Sequence, residues 1–140
     1  MSAGTGISHS EWNASDAEPV HFLQMWVVPA EPRLEPSYEQ RRFGAEAWRG
    51  RLLPVVTPSA EEGSLRIHQD AVMLVGELAA GARVAHDPSP RPRAHLYVAR
   101  GDARIGGTAL TEGDSARVEG EGRLELATER GTTLVLWDLP

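Results

Sequence analysis

Short apolar runs, separated at close intervals by glycine and proline, dominate this chain and predict strands. The first run, VHFLQMWVV at 20–28, ends at Pro29 and is typical of a buried strand. We find no heptads and no helix-period repeat. The pattern therefore predicts an all-β barrel or sandwich. From residue 52 onward the runs become more regular: LLPVVT at 52–57, SLRIH at 64–68, AVMLVGEL at 71–78, GARVAH at 81–86 and AHLYVAR at 94–100.

The region between the first apolar run and residue 52 is less regular. PAEPRLEPS at 29–37 carries three prolines and several charges, which favour an extended linker. YEQRRF at 38–43 is compatible with a strand. GAEAWRGR at 44–51 is the one helical candidate here, and glycine bounds it on both sides.

A succession of glycines gives the second half a more specific pattern. In YVARGDARIGGTALTEGDSARV, short apolar segments are separated by Gly101, Gly106, Gly107 and Gly113. At such positions the backbone turns tightly or adopts a positive φ, so we expect a turn at each. This succession resembles the glycine-turn core of a cupin, a small antiparallel jelly-roll barrel.

Cupin metal sites usually combine an H-x-H pair with a carboxylate and one more histidine. The second half of this chain offers His68, His86 and His95, but it contains no H-x-H pair. The resemblance therefore implies a second-half barrel without a metal site.

Composition narrows the classes of function. The net charge is -6 and the arginine-containing stretch PSPRPRAH at 88–95 is short and interrupted by proline, so we interpret it as a solvated loop and expect no direct nucleic-acid partner. The chain has no cysteine, which excludes disulfides and zinc-thiolate sites, and no lysine, which excludes lysine Schiff bases. No apolar run reaches the roughly 20 residues of a membrane span, and no signal peptide is recognisable. We expect a cytoplasmic protein that does not bind membranes.

An H-x-E pair near the start is the main candidate for chemistry. In SHSEWN, His9 and Glu11 lie two positions apart, so in an extended segment both side chains point to one face. Spacing alone leaves two interpretations open, a pair of metal ligands or two exposed polar residues.

Several motifs in order carry a resemblance that covers essentially the whole chain. MSAGTGISHSEWNAS is followed by the H-x-x-Q-x-W run of VHFLQMWVVP, by Y-x-Q-R-R-F in PSYEQRRF, and later by HQDAVMLVGEL and VLWDLP. This order closely resembles bacterial proteins of the pirin family, including quercetin 2,3-dioxygenase-like members. The family fold is a bicupin, with two barrels in one chain and the metal in the first.

The resemblance implies an organisation for this chain. Residues 1–43 would be the C-terminal strands of the first, metal-type barrel with the linker, and 44–140 a complete second barrel without metal. The family metal site uses an early H-x-H pair and a later H-x-E pair, and the later pair matches His9 and Glu11. The H-x-H pair has no counterpart here. We therefore expect that Met1 corresponds to an internal methionine of the family, or that the chain is a truncated protein or one piece of a split gene.

The resemblance also implies a cofactor and roles. His9 and Glu11 would bind a divalent transition metal, with iron, nickel, copper, zinc, cobalt and manganese all candidates, and Glu11 would also act as the catalytic base. Two ligands alone should bind weakly, because affinity depends on ligand number and preorganisation.

Other polar and aromatic residues of the first half have simpler interpretations. We expect Asn13 to cap a turn through its amide. His21 would line the same pocket or lie in the core, and Gln24 would pack beside it. The four tryptophans, at positions 12, 26, 48 and 137, are interpreted as packing residues.

Three functions remain open from the sequence. The first is a metal-dependent flavonol 2,3-dioxygenase acting on a quercetin-like small molecule. The second is a non-catalytic binding or transcriptional co-regulatory protein, with a protein partner or self-association through the incomplete first barrel. The third is an inactive remnant. The apolar run at 20–28 would be exposed without further strands, which favours association.

Overall fold

The structure is a computed structural model that describes residues 1–88, 90–120 and 122–140. The helix and strands of these residues all lie after residue 44. Helix α1 covers Ala45–Trp48, and the strands are β1 Leu52–Thr57, β2 Leu65–Arg66, β3 Val72–Leu78, β4 Arg83–His86, β5 Arg93–Ile105, β6 Thr108–Thr111, β7 Ser115–Glu119, β8 Leu124–Ala127 and β9 Thr132–Leu139. The prediction of an all-β jelly-roll barrel of the cupin type is confirmed.

The strands form one curled sheet in the order β2-β1-β3-β9-β5-β8-β4, with β6 and β7 also paired to β5. All pairs are antiparallel except β1 with β2. Strand β5 belongs to both halves of the sheet. Its first part pairs with β7 and β9, and its last four residues, 102–105, pair with β6, with the final two also opposite β8.

The turn predicted at Gly101 is wrong, although its positive φ is right. Strand β5 runs through this residue, where φ is +81°, and the register with β9 shifts between Val98 and Arg100. A bulge with a glycine in this conformation bends a strand instead of ending it. The bend carries β5 from one half of the sheet to the other, which lets the sheet curl around a core.

The predicted turn at Gly106 and Gly107 is confirmed. Both residues have positive φ, at +52° and +89°, and they join β5 to β6 as a two-residue hairpin loop. Two consecutive positive φ angles are what a type I′ turn requires. Gly113 also has positive φ and lies in the turn between β6 and β7.

The concave face of the sheet encloses the barrel core. Alternate residues of β3, β5 and β9 point into it, and Leu96, Val98, Leu134 and Leu136 are fully buried there. Each such side chain contributes about 1.5–3 kcal/mol relative to an exposed position. The barrel core is the larger of the two clusters of buried apolar residues.

The convex face carries a second apolar cluster, here called the outer cluster, formed by Val55, Ala71, Val75, Val135 and Trp137. Because both faces of β9 are covered, its residues are buried without alternation. The cover on the convex side comes from preceding residues, namely Leu23, Val27, Phe43 and Trp48, which are partly buried against the outer cluster.

Other local predictions have mixed outcomes. The helical candidate at 44–51 is confirmed as α1, whereas 38–43 forms no strand. The predicted solvated loop 88–95 is wrong for residues 93–95, which begin β5, and Arg91 within it pairs with Asp70 at 2.5 Å. Ser89 of that loop lies outside the described residues. The division into 1–43 and 44–140 stays a prediction. The described part of the chain contains no helix with the length and hydropathy that a membrane crossing requires.

Candidate functional site

His9 and Glu11 lie together as the H-x-E spacing predicts. Nδ1 of His9 is 3.4 Å from Oε1 of Glu11, and the two side chains are 35% and 51% exposed. The segment around them has no regular secondary structure. It ends in a turn at Asn13, whose carboxamide oxygen accepts a hydrogen bond from the Ser15 N–H at 3.1 Å, so the predicted Asn13 cap is confirmed.

This pair has the right donor types for a transition metal, since an imidazole nitrogen and a carboxylate oxygen are common ligands. It supplies only two of them. Within the described residues, no group of three or more histidine, aspartate or glutamate side chains comes close enough to hold an ion. His9 and Glu11 therefore fit a metal as part of a ligand set, and by themselves they do not make a complete site.

The segment 20–28 is not the buried strand that its composition predicts. It makes no strand pairing, and its larger apolar side chains are mostly exposed. A strand needs a partner edge for its backbone groups, and this segment pairs with no strand of the described sheet. The exposed apolar side chains of the segment are Val20, Phe22, Met25, Trp26 and Val28.

A few contacts hold this segment on the barrel. Gln69 donates a hydrogen bond from its amide to the Val28 carbonyl at 2.9 Å, and the indole N–H of Trp137 points at the Met25 sulfur at 3.3 Å. Leu23 and Val27, four positions apart, are half-buried against the outer cluster. The segment thus lies across the convex face as an extended strap.

The predictions for the other polar and aromatic residues of this region are partly wrong. His21 and Gln24 are exposed, so neither is a core residue. Trp12 and Trp26 are 87% and 86% exposed and do not pack in the core. Trp48 and Trp137 do pack in the outer cluster, as predicted. The failed predictions concern residues between 12 and 26, a region that forms no strand.

A groove of about 540 Å³ runs between the strap and the convex face of the sheet. We call it the aromatic groove; its lining residues are Leu23, Gln24, Met25, Trp26, Val27, His95, Tyr97, Val135, Trp137 and Leu139. Sequence reasoning missed it because two distant parts of the chain form it. One signal was present: His95 and Tyr97 alternate with the buried residues of β5, which places both side chains on the convex face.

The electrostatics of the groove centre on His95. Burial lowers the pKa of His95 below 6.5, and the positive charge of Arg117 lowers it further. Arg117 lies directly opposite His95 in the β5–β7 pairing, so the two side chains share the convex face. The imidazole is therefore neutral at pH 7.

We expect the Arg117→Gln variant to raise the pKa of His95, without returning it to 6.5, because burial is the larger cause. Because the pKa of His95 is lowered in the folded chain, the unfolded chain protonates this imidazole more readily than the folded chain does. The contribution of His95 to the free energy of unfolding is therefore complete above pH 6.5 and is lost as pH falls from 6.5 through the folded pKa of His95. Histidine NMR titration of both proteins measures the shift. An unchanged His95 pKa in Arg117→Gln would contradict the assignment of Arg117 as a cause.

A buried histidine–aspartate pair connects the two halves of the sheet. Nε2 of His86, on β4, is 2.9 Å from both carboxylate oxygens of Asp138, on β9. The side chains are only 14% and 6% exposed. Because a carboxylate only accepts hydrogen bonds, the His86 Nε2–H is the donor. The two residues are 52 positions apart, and no sequence motif connects them.

Comparison with known families matches both parts of the chain. The family model described as "Quercetinase C-terminal cupin domain" matches residues 54–139, which is more than half of the chain. The family model described as "Pirin" matches residues 1–27. The first match contains strands β2 to β9, and the second contains the His9–Glu11 pair and most of the strap.

Individual proteins agree with the family matches. The quercetin 2,3-dioxygenase of Escherichia coli K12 is 36% identical over 140 residues, which cover all of this chain and 59% of that protein. The crystal structure of YhhW from Escherichia coli superposes with a TM-score of 0.77 at 29% identity, covering 82% of this chain and 48% of that one. A second structure, titled as bacterial pirin YhhW in complex with nickel(II), gives a TM-score of 0.73 at 28% identity, covering 80% of this chain and 47% of that one. The chain thus spans about three fifths of the length of the relative that it matches throughout.

Proposed function

Because the chain belongs to the pirin family of cupin proteins, we propose that it contributes His9 and Glu11 to a divalent-metal centre of the quercetin 2,3-dioxygenase type. The observation that carries the proposal is the 3.4 Å approach of these two side chains within the segment that matches the pirin family. A relative named quercetin 2,3-dioxygenase and a structural neighbour titled as a nickel(II) complex support it. Nickel is one of the divalent transition metals that the sequence leaves open, with iron, copper, zinc, cobalt and manganese.

The remaining ligands would come from polypeptide other than the described residues, since these hold no third ligand near the pair. The exposure of both side chains leaves room for such a complement. In the completed centre, Glu11 would have a second role, because a partly exposed carboxylate can accept the proton of a flavonol hydroxyl. A flavonol-like small molecule is thus the proposed substrate class, and the cytoplasm is the proposed location.

A protein partner or self-association is the second candidate function, and one observation favours it. Among the described residues, the exposed large apolar side chains all lie within 1–38, and none lies on the barrel. Exposed apolar residues that are grouped together mark interaction surfaces more often than apolar residues scattered singly over a surface do. They are Met1, Ile7, Trp12, Val20, Phe22, Met25, Trp26, Val28 and Tyr38.

Nickel binding should depend on both the assembly state and the H-x-E pair. We expect nickel(II), added in excess and then removed from solution, to stay at stoichiometric amounts with an assembled species and not with the monomer. The physical reason is that the monomer offers two ligands and an assembly can add more. Size-exclusion chromatography followed by elemental analysis of each fraction measures this.

Replacement of Glu11 by glutamine should also lower oxygen uptake with quercetin by about 100-fold or more.

The matched control is the exposed His21, which lies near the pair in sequence but is not in it. The His9→Ala variant should lose the retained nickel, and the His21→Ala variant should keep it. If no fraction holds nickel and quercetin produces no oxygen uptake, the chain does not contribute to such a centre. Equal retention by His9→Ala would also overturn the proposal.

A further inference from the structure

The aromatic groove has the features of a small-molecule site and is separate from the H-x-E pair. Neither His9 nor Glu11 lines it. Its volume of about 540 Å³ lies within the range of roughly 300–1,000 Å³ that ligand pockets occupy. One wall is the convex face of the sheet, and the other is the strap. A ligand there would touch both parts of the chain.

The walls of the groove favour a flat aromatic ligand. The indoles of Trp26 and Trp137 and the phenol ring of Tyr97 line it, with the Met25 thioether beside Trp137. Aromatic rings attract one another in stacked or edge-to-face arrangements, and thioether sulfur adds favourable contacts with rings. Trp26 is 86% exposed although it lines the groove, so one face of its indole is available to a ligand.

The polar groups of the groove favour a negatively charged or strongly hydrogen-bonding oxygen on that ligand. No aspartate or glutamate is among the lining residues, and the polar side chains are Gln24, His95 and Tyr97. The charged residue directly opposite His95 on β7 is Arg117, which is exposed, and the next pair on this face joins Arg93 and Glu119, one charge of each sign. A carboxylate placed at His95 would therefore meet hydrogen-bond donors and a guanidinium, and an ammonium group placed there would meet a like charge.

We propose that the aromatic groove binds a planar aromatic acid, with its rings against Trp26 and Tyr97 and its acidic oxygen directed toward His95 and Arg117. The site differs from the proposed metal centre in its residues, so it does not depend on metal binding. Because the strap forms one wall, an occupied groove would also fix residues 23–27 on the convex face.

The direct test uses 2-naphthoate as a probe and isothermal titration calorimetry on the whole chain, with two-dimensional NMR to locate the site. We expect saturable 1:1 binding, with chemical-shift changes at the groove residues. The neutral amide 2-naphthamide should bind more weakly, and 2-naphthylmethylammonium should bind most weakly because of Arg117. The non-planar decalin-2-carboxylate should also bind more weakly, since it cannot stack on the indole.

Two variants test the aromatic contact and the charged contact of the ligand separately. Trp26→Ala should weaken 2-naphthoate by about tenfold, and Trp12→Ala is the matched control, because Trp12 is 87% exposed and lies outside the groove. Arg117→Gln should weaken 2-naphthoate by about threefold to tenfold and leave 2-naphthamide unchanged. Arg123→Gln, which changes an exposed arginine that pairs with Glu125 on β8, is the control for lost positive charge.

Several results would overturn the proposal. They are no saturable binding of 2-naphthoate at millimolar concentration, equal binding of the aromatic acid and the aromatic ammonium, and undiminished binding by Trp26→Ala. A dimer that buries Trp26 in its interface and excludes 2-naphthoate would also overturn it, because the groove would then be a contact between chains. Loss of nickel binding would leave this result untouched, so the two proposals fail separately.

Discussion

Replacement of His86 by alanine should lower the free energy of unfolding by about 3–5 kcal/mol, because it leaves the buried Asp138 carboxylate without its partner. Asp138 is only 4% exposed, and both of its carboxylate oxygens lie 2.9 Å from the same imidazole nitrogen. A charge taken out of water without compensation carries several kcal/mol of desolvation. Urea denaturation followed by circular dichroism measures the loss, with an unchanged m-value showing that the denatured state is the same.

A double variant separates the contribution of the pair from the penalty for breaking it. His86→Phe combined with Asp138→Leu removes both polar groups and keeps apolar volume, so it should unfold at a free energy close to that of the parent protein. The matched control is the exposed pair of Arg104 and Glu129, 3.8 Å apart, where Arg104→Ala should cost at most about 1 kcal/mol. An equal cost for His86→Ala and Arg104→Ala would contradict the assignment of His86 and Asp138 as a buried hydrogen-bonded pair.

The His86–Asp138 pair also shows which features the sequence could not reveal. Its two members are 52 positions apart. Strand β4 lies in one half of the sheet and β9 in the other, and they come together only when the sheet curls. Nothing in the residues near His86 encodes that crossing. By contrast, the proximity of His9 and Glu11 was predictable, because two positions in an extended chain place both side chains on one side.

The difference between local and long-range features also explains which strand predictions were right and which were wrong. The hairpin at Gly106 and Gly107 was predictable because a local rule governs it: two glycines in succession permit two positive φ angles. The segment 20–28 has strand composition, yet it forms no strand, since pairing depends on an edge elsewhere. Composition predicts which residues can form a strand, and only the assembled sheet decides which of them find a partner.

Gly101 lies between these two cases, because its positive φ was predictable and its close approach to Gly131 was not. The Gly101→Ala variant should lower the free energy of unfolding by about 1–3 kcal/mol more than the Gly113→Ala variant. Both glycines have a similar positive φ, at +81° and +88°, so both substitutions carry the same strain of about 1–2 kcal/mol. They differ in space: a Cβ at Gly113 meets nothing within 4 Å, whereas a Cβ at Gly101 would lie far inside van der Waals contact with the carbonyl oxygen of Gly131.

The Gly131 carbonyl cannot easily move away. It accepts a hydrogen bond from the Asp102 N–H at 3.3 Å, and the Asp102 carboxylate accepts hydrogen bonds from the N–H groups of Glu129 and Arg130 at 2.9 Å each. These bonds hold the turn between β8 and β9 against the bend in β5, so an added methyl group must displace the backbone on one side. Paired urea titrations of the two alanine variants measure the difference. Equal destabilisation would mean that the approach of Gly131 to β5 is not tight, and that conformational strain alone explains the need for glycine at the bend.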